Sequence, residues 1–594
     1  MQATPDTVNV AIVGGGISGL YAGWRLLSAP DGDKLRVAVF EYSGRTGGRL
    51  LTWRPLLQSH PDLNAELGGM RFFRQQALVW HLVDHFVKAG KLQPPSRFFV
   101  ADPNGNNLWY LRENILKASD LTLPSRLPYR LDARGQYADP SSIINNVING
   151  VLMANRKTVV HQLGGRSTPL DWQDWDALKP KLRYRRRRLW DIGFWNLLWD
   201  QLSPETYQYV TDAFGFYSLT NNWNAAEAMQ AIFSDFTQNP DYHTLHEGFD
   251  RLPQLVREEF ENLGGEVLLR HRVVAIDRAN GGEYRYQLTI SDENAKKTTH
   301  VLANRVILAM PRRSLELLAE TSLWKLDAPV QVGAEVRRLR DCIASVIPYP
   351  AFKLFLVYPT RWWRNEPFRI AAGRSISDLP IRQTYYFPSV PQGFPSGQLP
   401  PDGLGLVMAS YDDLGAVSFW QTLECTPKQA DESDDLMRQA LPQYMAAAAG
   451  GGRAQQHELE KQQALIEDRG FFYAPPEMVR YAQEQLSLMH FNRPIPDPQP
   501  LPQDPQQFFA AYKDWGVDPF GGGWNFWAPR VKVQAMMERM RQPIDGEDLF
   551  VIGEAYSGSQ GWVEGALTTA EKVLLQQFHL PQASWQPLNY YMGY

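Results

Sequence analysis

Cysteine is almost missing from this chain. Its 594 residues hold two, Cys342 and Cys425, too few for a disulfide framework or a cysteine-based metal site. No apolar run is long enough to span a bilayer, and the opening stretch MQATPDTVNV has neither the basic nor the apolar region of a secretory leader. Strong charge of one sign is missing too. The formal net charge is −4, which calls for neither nucleic acid nor an anionic membrane. The one basic run, Arg183 to Arg188, reads more simply as a solvated face than as an anion patch. No internal repeat, metal-ligand spacing or nucleophile elbow stands out. These absences leave a soluble, cytoplasmic protein with small-molecule partners as the expectation. The length implies several domains, and 19 tryptophans suit large apolar pockets or interfaces.

What is present begins at the N-terminus. VNVAIVGGGISGLYAGWRLL opens with a β-branched run, Val8 to Val13, followed by Gly14, Gly16 and Gly19 in G-x-G-x-x-G spacing and an apolar helical pattern. LRVAVFEYSGRTGGRL then gives a second strand that ends at Glu41. Strand, glycine turn, helix, strand and acid form the dinucleotide-binding fingerprint in its required setting. Gly14 permits the tight turn, Gly16 lets a pyrophosphate approach the backbone, and Gly19 lets helix and strand pack closely. Ile17 and Ser18 open a helix whose N-terminus faces the phosphates, and Glu41 accepts from a ribose diol. This pattern alone leaves NAD, NADP and FAD open, although an acid at Glu41 disfavours a 2′-phosphate.

GRTGGRL, Gly44 to Leu50, follows the acid with two arginines around a glycine pair. Here the sequence resembles the FAD-dependent amine oxidase family, whose members carry R-x-G-G-R after the second strand. The resemblance implies FAD as cofactor and a phosphate contact from Arg49. At the far end, DLFVIGEAYSGSQGWVEGALTTAEKVL gives a strand, Gly553-Glu554, and then Gly561-Trp562-Val563 opening a helix. In the family these segments bind the ribityl chain and border the flavin, which assigns Glu554, Gly561, Trp562 and Val563 to the cofactor. Two strands around a polar hairpin, Val267 to Arg278 and Arg305 to Leu315, match the segment whose valine backbone meets adenine, here Val273.

Both ends therefore serve one site, and the expected architecture is an α/β and α+β multidomain chain. It has a discontinuous Rossmann-like FAD-binding domain (1–75, 246–322 and 530–594), a mostly helical insertion (76–245) and a substrate-binding domain with a mixed sheet (323–529). Helical patterns lie near Gln75 to Ala89, Ser141 to Asn155, Phe194 to Leu202 and Pro204 to Phe216. Ala351 to Pro359 and Gly405 to Asp413 read as strands, residues 445–453 as a helix end with a glycine stop, and Arg493 to Pro505 as a Pro-rich crossing loop.

AELGGMRFF, residues 65 to 73, sets a permanent cation beside a segment built for close approach. Gly68, Gly69 and Met70 would lie along the flavin, and the Arg71 guanidinium matches a carboxylate with two parallel hydrogen bonds. LGGMR resembles the G-x-M-R segment of L-amino acid oxidases, in which the arginine clamps the substrate carboxylate. Tyr411 matches a strand-end tyrosine giving the same carboxylate a further hydrogen bond, with Tyr385 and Tyr386 as competitors. Lys353 stands in the middle of an apolar strand, where a lysine is costly without a task. In the family a lysine there holds a water against the flavin and assists reoxidation. Phe520, Trp524 and Trp562 would wall an apolar slot; the family more often has tyrosine where Phe520 stands.

The resemblance implies oxidation of an L-amino acid to a 2-oxo acid, ammonia and hydrogen peroxide, with molecular oxygen as acceptor. Relatives are often homodimers. The alternatives within the family are an amino acid 2-monooxygenase, which yields the amide, and an amine oxidase without carboxylate recognition. From another class, a flavin-bearing protein without turnover remains.

Overall fold

The computed structural model describes residues 4–55, 63–98, 100–133, 135–164, 166, 170–235, 241–318, 323–387, 404–424, 470–498, 510–587 and 590–593. Cys425 and the alanine-glycine run 445–453 lie outside them, as does the Pro-rich segment beyond residue 498.

The β-branched run at the N-terminus forms the strand Thr7–Val13 at the centre of a seven-stranded sheet. Its neighbours are Val37–Glu41 on one side and Lys297–Leu308 on the other, both parallel. Glu266–Leu269 adds in parallel beyond Val37–Glu41. The far edge of Lys297–Leu308 is shared. Tyr286–Asp292 pairs antiparallel along its first half, and Leu549–Val551 runs parallel to Val306, Ile307 and Leu308. His271–Arg278 closes that side. The polar hairpin thus supplies a strand of its own, and residues 312–317 form a short helix rather than a continuation of the strand. Three separate stretches of chain build this one sheet, and its central strands Thr7–Val13 and Val37–Glu41 read as near-continuous apolar runs. Ala11 and Val13 face one core cluster while Val10 and Ile12 face another, as expected for a parallel sheet covered on both sides.

The helix after the glycine turn, Ile17–Ser28, lies against the C-terminal helix Val563–Gln577. A buried ion pair ties them: Arg25 Nη2 is 2.9 Å from Glu571 Oε1, and Tyr21 donates to Glu571 Oε2 at 2.7 Å. The helix Ala77–Lys88 joins the same core cluster, because Glu564 accepts from the amides of Leu78 and Val79 at 3.0 and 2.9 Å and caps it. The segment expected to open the helical insertion is therefore part of the cofactor-side core.

A second sheet has eight strands, in the order Phe472–Tyr473, Ala510–Asp514, Ala351–Tyr358, Gly405–Asp413, Gln383–Tyr386, Gly373–Ser377, Leu108–Leu111 and Asn114–Lys117. Its one parallel pair, Gly373–Ser377 with Leu108–Leu111, makes it mixed. Residues 108–117, assigned by sequence to the helical insertion, instead complete this sheet: Leu108 and Leu111 are buried and need a partner strand. The helices Pro140–Ala154, Phe194–Gln201, Pro204–Phe214 and Ala225–Asp235 bury a third cluster of their own. Arg382 fastens that helical unit to the second sheet, donating to the carbonyls of Thr211 and Asp212 at 3.0 and 3.2 Å. Among the described residues no helix is long and apolar enough to cross a membrane, and no group of His, Cys, Asp or Glu could hold a metal ion.

Removing one member of a buried ion pair leaves the other charge unpaired. Arg25→Ala is therefore expected to cost about 3–5 kcal/mol of stability, read as a lowered midpoint in chemical denaturation. An unchanged midpoint would show that the pair does not join the two ends.

Candidate functional site

A cavity of about 600 Å³ runs between the two sheets, within the range of small-molecule cofactor sites. One end is lined by Glu41, Tyr42, Ser43, His271, Arg272 and Val273, the middle by Gly14, Gly16, Ile17, Ser18, Arg49 and Gly553, and the other end by Gly69, Phe520, Gly561, Trp562 and Val563. Glu554 and Lys513 also face it.

The walls fit a long anionic nucleotide. Gly14 has φ +110°, and a Cβ there would lie 2.4 Å from the Ala309 carbonyl oxygen. Gly16 has an ordinary φ of −72°, yet a Cβ on it would meet nothing within 4 Å, since it points into the cavity. Gly19 is off the wall and packs on the Gly14 carbonyl. The helices starting at Ile17 and Val563 both open on the cavity, and neither has a side-chain cap. Their free amides and positive dipole ends suit phosphate and flavin oxygens. Glu41 is held in place by the amides of Gly15 and Ser43, at 2.6 and 2.9 Å.

The two arginines of GRTGGRL turn inward on the protein. Arg45 donates to the carbonyls of Thr46 and Leu50 at 3.1 and 3.2 Å and shapes the loop. Arg49 reaches the Gly523 carbonyl at 3.1 Å and Glu554 Oε2 at 2.9 Å. Glu554 in turn accepts from the amides of Asn525 and Gly561 at 3.0 and 2.7 Å. This pair, expected to bind cofactor directly, knits together the three segments of wall it lines.

Beyond Gly69 the chain leaves the wall. Gly68 packs on the backbone, where a Cβ would lie 2.0 Å from the Arg49 carbonyl oxygen. Met70 and Arg71 are buried behind the wall. The Arg71 guanidinium lies 4.3 Å from the centre of the Tyr242 ring and 5.7 Å from that of Phe98. It donates to the Tyr385 hydroxyl at 3.4 Å, and among the described residues no acidic side chain pairs with it. Burial pushes the Tyr385 hydroxyl up, but the guanidiniums of Arg374 and Arg71 outweigh it and hold it below the ordinary tyrosine value.

Strand alternation separates the two neighbouring tyrosines. Tyr386 faces the opposite side, bonded to Ser375 and His490 at 3.0 and 2.8 Å. Tyr411 stays on the Arg71 side, 6.4 Å from Tyr385 and 6.4 Å from Trp524 between ring centres. Phe216, from the end of the helical unit, stands 5.1 Å from Tyr411 and 5.9 Å from Trp524. Trp562 meets Phe73 and Tyr242 at 5.2 and 6.0 Å, so this aromatic chamber shares Trp562 with the cofactor cavity. Tyr411 and Trp524 belong to the chamber rather than the cavity wall.

Lys353 lies on an interior strand, paired on both sides, so it cannot extend to solvent. Its Nζ donates to the carbonyls of Glu66 and Gly68 at 2.9 and 2.6 Å and sits 4.5 Å from the Tyr411 ring centre. Burial lowers its pKa to about 7, against the opposing pull of Glu66. Burial likewise raises Glu66, which receives the Phe249 amide at 2.8 Å, to about 7.

Sequence reasoning missed Tyr242, Phe216, Lys513, Glu66 and Asp235. Asp235 Oδ2 receives the Trp562 indole N–H at 2.9 Å. Tyr242, Phe216 and Asp235 sit in segments without a motif, and Glu66, although inside AELGGMRFF, matches no residue role there. For Glu66, Lys513 and Asp235 a charge in an apolar stretch is the one signal in the sequence.

A glycine turn, an acid at the end of the second strand and a second helix N-terminus around one long cavity define an FAD-binding oxidoreductase. The chain belongs to the flavin-containing amine oxidoreductase family, whose model matches residues 17–446. It is 24% identical to Aplysianin-A of Aplysia kurodai, over 96% of this chain and 90% of that protein. It is 22% identical to Achacin of Lissachatina fulica, over 96% and 93%. An L-amino-acid oxidase of Bothrops pauloensis is 23% identical over 71% of each chain. A solved structure of putrescine oxidase, redesigned in its cofactor binding, superposes with a TM-score of 0.57 at 14% identity, covering 96% of this chain and 99% of that one.

Gly16→Leu is expected to fold, because the backbone there suits any residue, yet to purify colourless because its side chain fills the cavity. Circular dichroism and visible absorbance check both halves; a folded yellow variant would refute the placement. Lys353 gives a second test. Between about pH 7 and the ordinary lysine value the unfolded chain binds the extra proton, so stability gains from this site as pH rises through that window. Lys353→Met is expected to flatten that gain, seen by comparing thermal melts at pH 7 and pH 9.

Proposed function

We propose that this chain oxidises an L-α-amino acid to the imino acid, which water converts to a 2-oxo acid and ammonia. The observation that carries the reading is Arg71: a buried guanidinium without an acidic partner among the described residues, behind Gly69 of the cofactor wall. A buried cation of this kind calls for an anion, and a substrate carboxylate supplies it through paired hydrogen bonds. Similarity to an L-amino-acid oxidase over 71% of the chain supports the same substrate class. FAD when bound accepts a hydride from the substrate α-carbon and passes two electrons to oxygen, giving hydrogen peroxide.

The chain's own residues do the rest. Arg71 and the Tyr385 hydroxyl fix the carboxylate, which leaves one rotation to set the α-hydrogen. The faces of Trp562, Trp524 and Tyr411 exclude water from that centre, which strengthens the Arg71 interaction. Lys353 braces the Gly68 carbonyl and so the position of the clamp. Its pKa of about 7 lets Nζ hold or release a proton near neutral pH.

Arg71→Leu is expected to lower kcat/KM for the best amino acid by about a hundredfold or more, with flavin absorbance retained. Oxidation of the matching amine, which has no carboxylate, is expected to change little. Equal losses on both would end the clamp model. Mass spectrometry of the product is expected to find the 2-oxo acid; the amide would instead mark a 2-monooxygenase.

A further inference from the structure

Among the described residues, Trp195 and Trp199 are the two exposed tryptophans, at 41% and 53%. They stand one turn apart on the helix Phe194–Gln201 and lie against Tyr207, with ring centres 5.5 and 6.2 Å from it. The next residues of that helix hold a hairpin. Asp200 Oδ2 is 3.1 Å from Arg185 Nη1, and Gln201 donates to the Tyr184 hydroxyl at 2.7 Å. The hairpin, Arg183–Tyr184 paired with Arg187–Arg188, carries the basic run of the sequence, and Arg185 to Arg188 are all exposed. Its tip residues Arg185 and Arg186 have positive φ, +43° and +68°, in the turn that asparagine and glycine form most easily. The backbone therefore gives no reason for arginine there. On the hairpin's other side, the Asn155 side chain accepts from the Arg183 amide at 3.0 Å and donates to its carbonyl at 2.8 Å. Asn155 joins the helices Pro140–Ala154 and Arg156–Leu163, and the second of these buries none of its residues. Met153 and Val160 stand out at this corner, 66% and 63% exposed, with Arg156 and Lys157 between them.

A solvated face explains the charge of the basic run but not the indoles beside it. Single exposed apolar residues are ordinary, whereas several gathered around one charge cluster mark an interaction surface. Of these cations Arg185 alone has an acidic partner among the described residues. Arg183, Arg187 and Arg188 donate to backbone carbonyls, at 2.9, 3.1 and 3.2 Å, and keep their charge unmatched. We infer that this face of the helical unit docks on an anionic phospholipid membrane. The guanidiniums meet lipid phosphates and carboxylates, and the two indoles enter the headgroup layer, where tryptophan settles with its ring among acyl carbons and its N–H toward water. Met153 and Val160 add a shallow apolar contact on the far side of the hairpin. A nucleic acid would also attract the guanidiniums, yet it offers nothing to these aliphatic side chains. Since the chain as a whole has a formal net charge of −4, the attraction is local, and an acidic bilayer draws in the orientation that presents this face.

The test floats the holoenzyme with vesicles of phosphatidylcholine alone and of phosphatidylcholine mixed with phosphatidylserine. Binding to the mixed vesicles is expected to exceed binding to the neutral ones by at least about tenfold, and to fall in molar salt. Arg185→Asn combined with Arg186→Gly keeps the turn and removes two charges. It is expected to weaken mixed-vesicle binding by about tenfold or more, with thermal midpoint and flavin absorbance retained. Trp195→Gln combined with Trp199→Gln tests insertion: mixed vesicles with brominated acyl chains are expected to quench tryptophan fluorescence in the wild type and not in this variant. Absence of flotation, equal flotation with both vesicle types, or undiminished binding by R185N/R186G would overturn the assignment, as would quenching that persists in W195Q/W199Q. Retention of a DNA duplex or of heparin that mixed vesicles fail to displace would overturn it too, and mark a soluble polyanion as the occupant.

Discussion

The contact on which the rest of the site depends is the ion pair between Arg49 and Glu554. Its members come from opposite ends of the chain, 2.9 Å apart. Glu554 also gathers the amides of Asn525 and Gly561, so one carboxylate ties three segments of chain together around the cofactor cavity. Without a common acceptor their amides would be solvated separately, and the cavity wall would have no single shape. The pair Arg25–Glu571 repeats the same device one layer deeper. A cofactor domain assembled from distant pieces needs such long-range polar closures because no local helix or hairpin can supply them.

Behind that wall the chemistry is set by a shortage of water and an imbalance of charge. Arg71 and Lys353 are both buried, in a chamber of tyrosines and tryptophans. Burial makes each cation seek a partner, and the protein answers them differently. Lys353 is satisfied by backbone carbonyls and drops its pKa to about 7, while Arg71 keeps its charge and, among the described residues, meets a phenol and ring faces but no acid. The first is suited to exchange protons; the second is suited to hold an anion. Phe216 brings the helical unit into this chamber, whose other rings, Phe73, Phe98, Tyr242 and Tyr385, share a separate core cluster with the second sheet.

The residues that were legible in the sequence share a property: their role follows from local backbone. Gly14, Gly16 and Glu41 stand at fixed offsets from a strand and a helix, and the structure puts them on the cavity wall. The helices at 77–88, 140–154, 194–201 and 204–214 follow from apolar periodicity within each segment. What was less legible depends on pairing across the chain. Residues 108–117 form strands because a distant sheet offers an edge to them. Tyr385 and Tyr386 are adjacent and chemically identical, and only the direction of the pleat sends one to Arg71 and the other to His490. Asp235 carries no motif, since its meaning lies in Trp562, more than three hundred residues away.

By itself, then, the sequence determined the nucleotide-binding turn, the flavin class of cofactor through its family motifs, and the presence of an arginine beside a segment built for close approach. These are encoded by short-range spacing, which the backbone converts directly into geometry. The tertiary structure alone decided which tyrosine stands beside that arginine, which lysine contacts are made, and where a buried acid meets the indole. Those relations arise from sheet register and from packing of a helical unit on a distant sheet. Both are set by the burial of many apolar side chains together, so no local pattern around any one polar residue records them.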